Sequence, residues 1–179
     1  KGWTAFFSSL TRVGADIRIG VTTTDTSGRA GCFVGRVKVL SPQSPNFALE
    51  FRNNLNTGTQ GSNQEKGLQA AMMALHPSRL KDPLCNQGFL RKDARLGIVV
   101  LADEDDHSPM PVSYYLQYFR ALKSSTTQLL TAVRAGPPPQ GCQDNGVTAQ
   151  AGSRYWQWVK ALGGQTSSIC KDSIPQFYS

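Results

Sequence analysis

The sequence predicts an α/β fold, a doubly wound and mostly parallel sheet flanked by helices, and three observations carry that expectation. The run Leu96–Ala102 (LGIVVLA) is the most apolar in the chain, and fully apolar strands of this length belong inside parallel sheets covered on both faces. Helix-period and strand-period segments alternate along the chain, as βα units require. The chain has 179 residues, enough for one sizeable core, with 17 glycines and 10 prolines to build ordered loops.

Each element follows from its local pattern. Trp3–Val13 places Phe6, Phe7, Leu10 and Val13 at helical spacing and stops at Gly14. Asp16–Thr24 (DIRIGVTTT) is rich in β-branched residues and predicts a strand. The turn residues Asp25-Thr26-Ser27-Gly28 follow, then a second strand at Phe33–Leu40, the two forming a hairpin with a long connection. Asn46–Leu55 spaces Phe47, Phe51 and Leu55 four apart, as a short helix does, and a polar loop runs to Asn63.

Glu65–Leu75 predicts a helix with Leu68, Ala71, Met72 and Leu75 as its buried stripe. Ser62 stands where an N-cap would, with Glu65 three residues later to complete a capping box. After the Leu96–Ala102 strand, Val112–Lys123 predicts a helix and Gln128–Arg134 a strand. Gly136–Gly141 predicts a proline-rich loop, Gly152–Leu162 a helix ended by Gly163-Gly164, and Thr166–Ile169 a short strand. Ile174–Tyr178 reads as the first turn of a final helix.

Charge and cysteine usage narrow the function. The formal net charge is +7, but no run of Lys and Arg exceeds two residues, so nucleic-acid binding is not expected. In Arg154–Lys160 the spacing puts Tyr155, Trp158 and Val159 on one helix face with Leu162, and these read as core. No stretch is long and apolar enough for a membrane span. The four cysteines, Cys32, Cys85, Cys142 and Cys170, form no C-x-x-C pair and are not spaced with His76 and His107 as zinc ligands. They predict two disulfides and an oxidising compartment: periplasm, cell surface or secretion. Of three connectivities, Cys32–Cys85 and Cys142–Cys170 is favoured, since the last two flank one helix and the first two sit in earlier loops.

The strongest chemical signal is the acidic tip after the apolar strand. Asp103, Glu104, Asp105 and Asp106 are a third of the 12 acidic residues, and ligands of open α/β sheets bind beyond the carboxyl ends of strands. Clustered oxygen ligands there suit hard cations such as Mg²⁺, Mn²⁺ or Ca²⁺.

The segments GSNQEKGLQAA at 61–71, LADEDD at 101–106 and GFLR at 88–91 resemble the von Willebrand factor A domain, in particular its bacterial surface and periplasmic members. Similarity continues at Gly152-Ser153-Arg154-Tyr155 and from Gly163-Gly164 to Ser168-Ile169-Cys170. The resemblance implies a metal-ion-dependent adhesion site holding Mg²⁺ or Ca²⁺. In it Ser62 would supply the hydroxyl ligand, Asp103 would act through water, and Asp105 and Asp106 would be secondary ligands. Ser62 thus has two readings, N-cap alone or N-cap and metal ligand.

The family's D-x-S-x-S motif at the end of a first strand has no counterpart here. Asp25-Thr26-Ser27-Gly28-Arg29 imitates it with Arg29 in the last serine's place. The resemblance therefore predicts one domain over residues 1–179, truncated at its amino end and at its carboxyl end. The absent first strand would lie between Asp16–Thr24 and Leu96–Ala102, leaving a slot for an upstream segment or for a partner that donates a strand.

The expected function is an extracytoplasmic protein-binding or adhesion module, divalent-metal-dependent and not an enzyme. Two alternatives differ in kind. One is a structural subunit of a surface or envelope assembly that works without metal. The other is a phosphatase of the haloacid-dehalogenase type, with Asp103 as nucleophile and Asp105 as acid at the end of the apolar strand. Serine hydrolysis lacks its G-x-S-x-G.

Overall fold

A computed structural model describes residues 14, 16–58, 64–144 and 146–171. The expected helix at Trp3–Val13, the final turn at Ile174–Tyr178, and Ser62 lie outside the described residues.

The chain is a mixed α/β protein centred on a three-stranded parallel sheet. In chain order the elements are α1 (Phe47–Leu55), α2 (Gly67–Ala74), α3 (Pro77–Lys81), β1 (Leu96–Leu101) and α4 (Val112–Ala121). They continue as β2 (Leu129–Ala135), β3 (Cys142–Asp144), β4 (Val147–Ala149), α5 (Ser153–Ala161) and β5 (Gln165–Ser168). The sheet order is β1-β2-β5, with Leu96 opposite Leu129 and Ala132 opposite Gln165. Strands β3 and β4 form a separate antiparallel hairpin.

One core holds the sheet to its helices. Leu96 and Val100 of β1 and Leu129 and Val133 of β2 meet Leu68 of α2, Tyr115 and Phe119 of α4, and Tyr155, Trp158 and Val159 of α5. The Phe119 and Trp158 rings meet edge to face, 5.2 Å apart at 64°. Gly67 has no side chain because Tyr155 occupies the space. Its N–H donates to the Tyr155 hydroxyl at 3.1 Å, and a Cβ there would lie 2.4 Å from that oxygen.

The sheet departs from the expectation at β1. A strand so apolar was expected at the centre of a sheet wound on both faces. Instead β1 is an edge strand of the described sheet, and its burial alternates. Leu96 and Val100 are buried, whereas Val99 is 65% and Leu101 44% exposed, as is half of Leu130, opposite Gly97 on β2. The described helices that share the sheet's core all meet the Leu96–Val100 face.

The first hairpin also differs. Asp16–Thr24 and Phe33–Leu40 approach each other antiparallel, but as an isolated bridge and not as two strands. Ile19 and Leu40 exchange both backbone bonds, at 2.7 and 2.8 Å, and Val34 N–H donates to the Val21 carbonyl. Residues near Phe33 are drawn elsewhere. The Cys32–Cys85 disulfide and the buried Asn86 hold them: Asn86 Oδ1 accepts the Phe33 N–H at 2.7 Å, and its Nδ2 donates to the carbonyls of Gly31 and Ala74. Phe47 and Phe51 of α1 close a second small core on Leu40.

Both disulfides have the expected connectivity, Cys32–Cys85 and Cys142–Cys170. The β3–β4 hairpin, turned at Gly146 with φ 79°, had no counterpart in the sequence expectation. No helix among the described residues is long and apolar enough to cross a membrane.

Candidate functional site

The loop leaving β1 carries the four acidic residues, and the structure sorts them into two pairs. Asp105 and Asp106 are turned inward and tie elements together. Asp106 is buried. Its Oδ1 accepts the Leu68 N–H at 3.1 Å and the Ser108 hydroxyl at 2.7 Å, and its Oδ2 pairs with Arg154 Nε at 3.1 Å. Ser108 Oγ in turn accepts the Gln69 N–H at 2.9 Å. The orphan N–H groups at the start of α2 are therefore satisfied from the acidic loop, by a carboxylate suited to a helix amino end.

This corrects the capping-box expectation. The helix begins at Gly67 with Lys66 at the N-cap and no side-chain cap bond, and Glu65 precedes it. A local motif was expected to do what a segment about 40 residues later does.

Asp105 Oδ1 accepts the N–H of Asp106 at 2.8 Å and that of Arg154, at the start of α5, at 2.9 Å. Arg154 completes the frame by donating to the carbonyls of Ser108 and Met110, at 3.0 and 2.7 Å. One loop is thus fixed to the amino ends of two helices. Tyr155, next in the chain, is wholly buried, and burial together with the nearby Asp106 charge pushes its hydroxyl pKa well above the ordinary range.

Asp103 is exposed and Glu104 half-buried at the carboxyl end of β1, with the Asp103 carbonyl accepting the Gln150 N–H at 2.8 Å. Glu65 joins them from the segment before α2. Its carboxyl is half-buried, and its pKa rises from 4.5 to about 7. Burial is the first cause, the charges of Asp103 and Glu104 follow, and a hydrogen bond with the Thr24 side chain opposes them. Glu65 Oε2 is buried without a hydrogen-bond partner among the described residues. The crest of the molecule is therefore a group of carboxylates, Glu65, Asp103 and Glu104, on a rigid base.

Of the expected metal residues, Asp103 stands at this crest, Asp105 and Asp106 give oxygens to backbone N–H groups and Arg154, and Ser62 lies outside the described residues. Among the described residues no three of His, Cys, Asp or Glu are grouped so as to hold a metal ion. In the imitation motif, Asp25 Oδ1 accepts the Ser27 N–H at 2.8 Å, which holds its carboxyl below the ordinary range. Arg29 donates to the Leu84 carbonyl.

Two residues of the site escaped the sequence reading. Arg154 read as one of many dispersed cations, and Ser108 as loop. Their roles depend on a contact across 48 residues, and no local spacing signals it. No protein-family model, curated protein or solved structure matches this chain.

Proposed function

We propose that the chain is an extracytoplasmic protein-recognition domain of the von Willebrand factor A type, binding through the carboxyl end of its parallel sheet and not catalysing a reaction. The single observation that carries this reading is the crest. Exposed Asp103 and the half-buried Glu104 and Glu65 carboxyls stand together on a base locked by Arg154. The whole chain carries 19 Lys and Arg against 12 Asp and Glu, so the crest is an island of opposite sign. Such an island steers and orients a partner that carries a cationic group. The two disulfides support a compartment outside the cytoplasm. A divalent cation, Mg²⁺ or Ca²⁺, is the other charge that this crest would attract, and the same experiment separates the two.

The test is calorimetric titration of the chain with Mg²⁺, Mn²⁺, Ca²⁺ and a lysine-rich peptide, beside the double variant Asp103→Ala/Glu104→Ala. Peptide binding that weakens at least tenfold in the variant supports direct recognition of cationic groups. Cation binding lost in the variant and with chelator supports an adhesion-type site. If neither probe binds, or the variant binds as the parent does, the crest is not a recognition surface.

A further inference from the structure

The bond between Asp82 and Pro83 stands where α3 ends, on the loop that carries Cys85. Asp82 is extended there, with φ −81° and ψ 116°, as a residue before proline is pushed to be. The pair is chemically unusual. An aspartyl carboxyl can close a small ring on its own carbonyl carbon, as a nucleophile built into the chain. The proline nitrogen belongs to a tertiary amide without a hydrogen, and it takes up a proton on leaving more readily than an ordinary peptide nitrogen.

The fold prepares this bond. Asp82 Oδ1 accepts the Leu84 N–H at 2.8 Å, which folds the carboxyl over its own peptide bond and keeps it there. The Asp82 carbonyl oxygen accepts two backbone N–H groups, those of Cys85 at 3.1 Å and Gln87 at 3.2 Å. These donors sit where negative charge gathers when a nucleophile adds to the carbonyl carbon. They are also fixed in place. Cys85 is buried and bridged to Cys32, and Asn86 between the donors is buried and bonded to Phe33, Gly31 and Ala74. Pro83 and Leu84 are exposed, so water reaches the bond. The charges about Asp82 are cationic. Arg29 Nη2 lies 3.8 Å from its Oδ2 and donates to the Leu84 carbonyl, and Arg79 and Lys81 are its neighbours on α3.

We propose that Asp82–Pro83 is a self-cleavage site, at which the Asp82 carboxyl cuts its own main chain in mild acid and leaves two pieces joined by the Cys32–Cys85 disulfide. The carboxyl group adds through one oxygen to the Asp82 carbonyl carbon, and the charge that forms on the carbonyl oxygen rests on the Cys85 and Gln87 N–H groups. The carbon–nitrogen bond to Pro83 then breaks. Its electron pair stays on nitrogen, which takes the proton of the carboxyl group and becomes the free amine of a new chain end. Asp82 is left as a cyclic anhydride. Water adds to the anhydride and opens it, returning the side-chain carboxyl and a terminal carboxyl. The net change is one water consumed for one peptide bond, with no oxidation or reduction. The cut lies between Cys32 and Cys85 in the chain, so their bridge holds the pieces together. This inference stands whether or not the crest recognises a partner.

The test incubates the whole chain at pH 4, folded in one arm and unfolded by concentrated urea with both disulfides intact in the other. Mass spectrometry identifies the products, and electrophoresis with and without a thiol reductant shows whether they stay joined. The expected products are residues 1–82 and 83–179, joined until reductant is added. They should form at least tenfold faster from the folded chain than from the unfolded one, and more slowly at pH 8 than at pH 4.

Asp82→Asn keeps an acceptor for the Leu84 N–H and removes the acid, and Pro83→Ala keeps the carboxyl but makes the bond an ordinary amide. Each should slow cleavage of the folded chain at least tenfold, with circular dichroism showing that the variant is folded. If a variant does not fold, the comparison of folded with unfolded parent decides. An intact bond in the folded parent would overturn the proposal. Cleavage no faster in the folded chain than in urea would overturn it too, because the lability would then belong to the dipeptide and not to the site. So would folded Asp82→Asn cleaved as fast as the parent.

Discussion

Glu65→Gln isolates the electrostatic cost of the crest. In the folded chain the Glu65 carboxyl titrates at about 7 against an ordinary 4.5, because burial and then the charges of Asp103 and Glu104 disfavour its ionised form. Between those two values the folded state holds a proton that the unfolded chain has released. Stability therefore falls as pH climbs from about 4.5 to about 7 and stays at the lower level above it. At ~1.36 kcal/mol per pH unit the whole span would be worth ~3.4 kcal/mol. The carboxyl is only half-buried, so solvent screening reduces this to about 1–2 kcal/mol.

Glutamine keeps the shape and never carries the charge. Urea unfolding with the disulfides intact should show parent and variant equally stable at pH 4. At pH 8 the variant should be more stable, its midpoint higher by ~0.5–1 M given a urea slope of ~2 kcal/mol/M. Asp103→Asn should move the parent in the same direction by less, since it removes a smaller cause. Equal midpoints of parent and Glu65→Gln at pH 4, 6 and 8, or a variant less stable at pH 8, would refute the reasoning.

Asp106→Ala should destabilise by about 3 kcal/mol, the low end for a broken buried pair because Arg154 is partly exposed; it also strips the start of α2 of its acceptor. In thermal unfolding that is a fall of ~6–12 °C, and a fall under 2 °C would deny Asp106 its structural role. Replacing Cys32 and Cys85 together by alanine should cost ~4 kcal/mol and replacing Cys142 and Cys170 ~3.6 kcal/mol. The first pair closes the longer loop, 53 residues against 28, and chemical unfolding of each double variant measures the costs. The opposite ranking would show that packing at the bridges outweighs chain entropy.

The parts of this fold legible in the sequence are those encoded locally. The helical stripes of Asn46–Leu55 and Gly152–Leu162, the apolar run at β1 and the strand at Gln128–Arg134 each fall within a residue or two of the observed element. The disulfide pairing was legible too, because cysteines flanking one helix end up near each other. What was not legible is set by distant contacts. Asp16–Thr24 has strand composition, yet a strand needs a partner along its length, and here the opposite chain is pulled away at Phe33 by Asn86 and Cys85. Ser62 and Glu65 have capping-box spacing, yet Asp106 and Ser108 serve the helix start. The acidic run looked uniform, and only the fold shows that half of it faces Arg154 and half faces solvent. An apolar stretch reports that a strand can be buried on two faces. It does not report what does the burying.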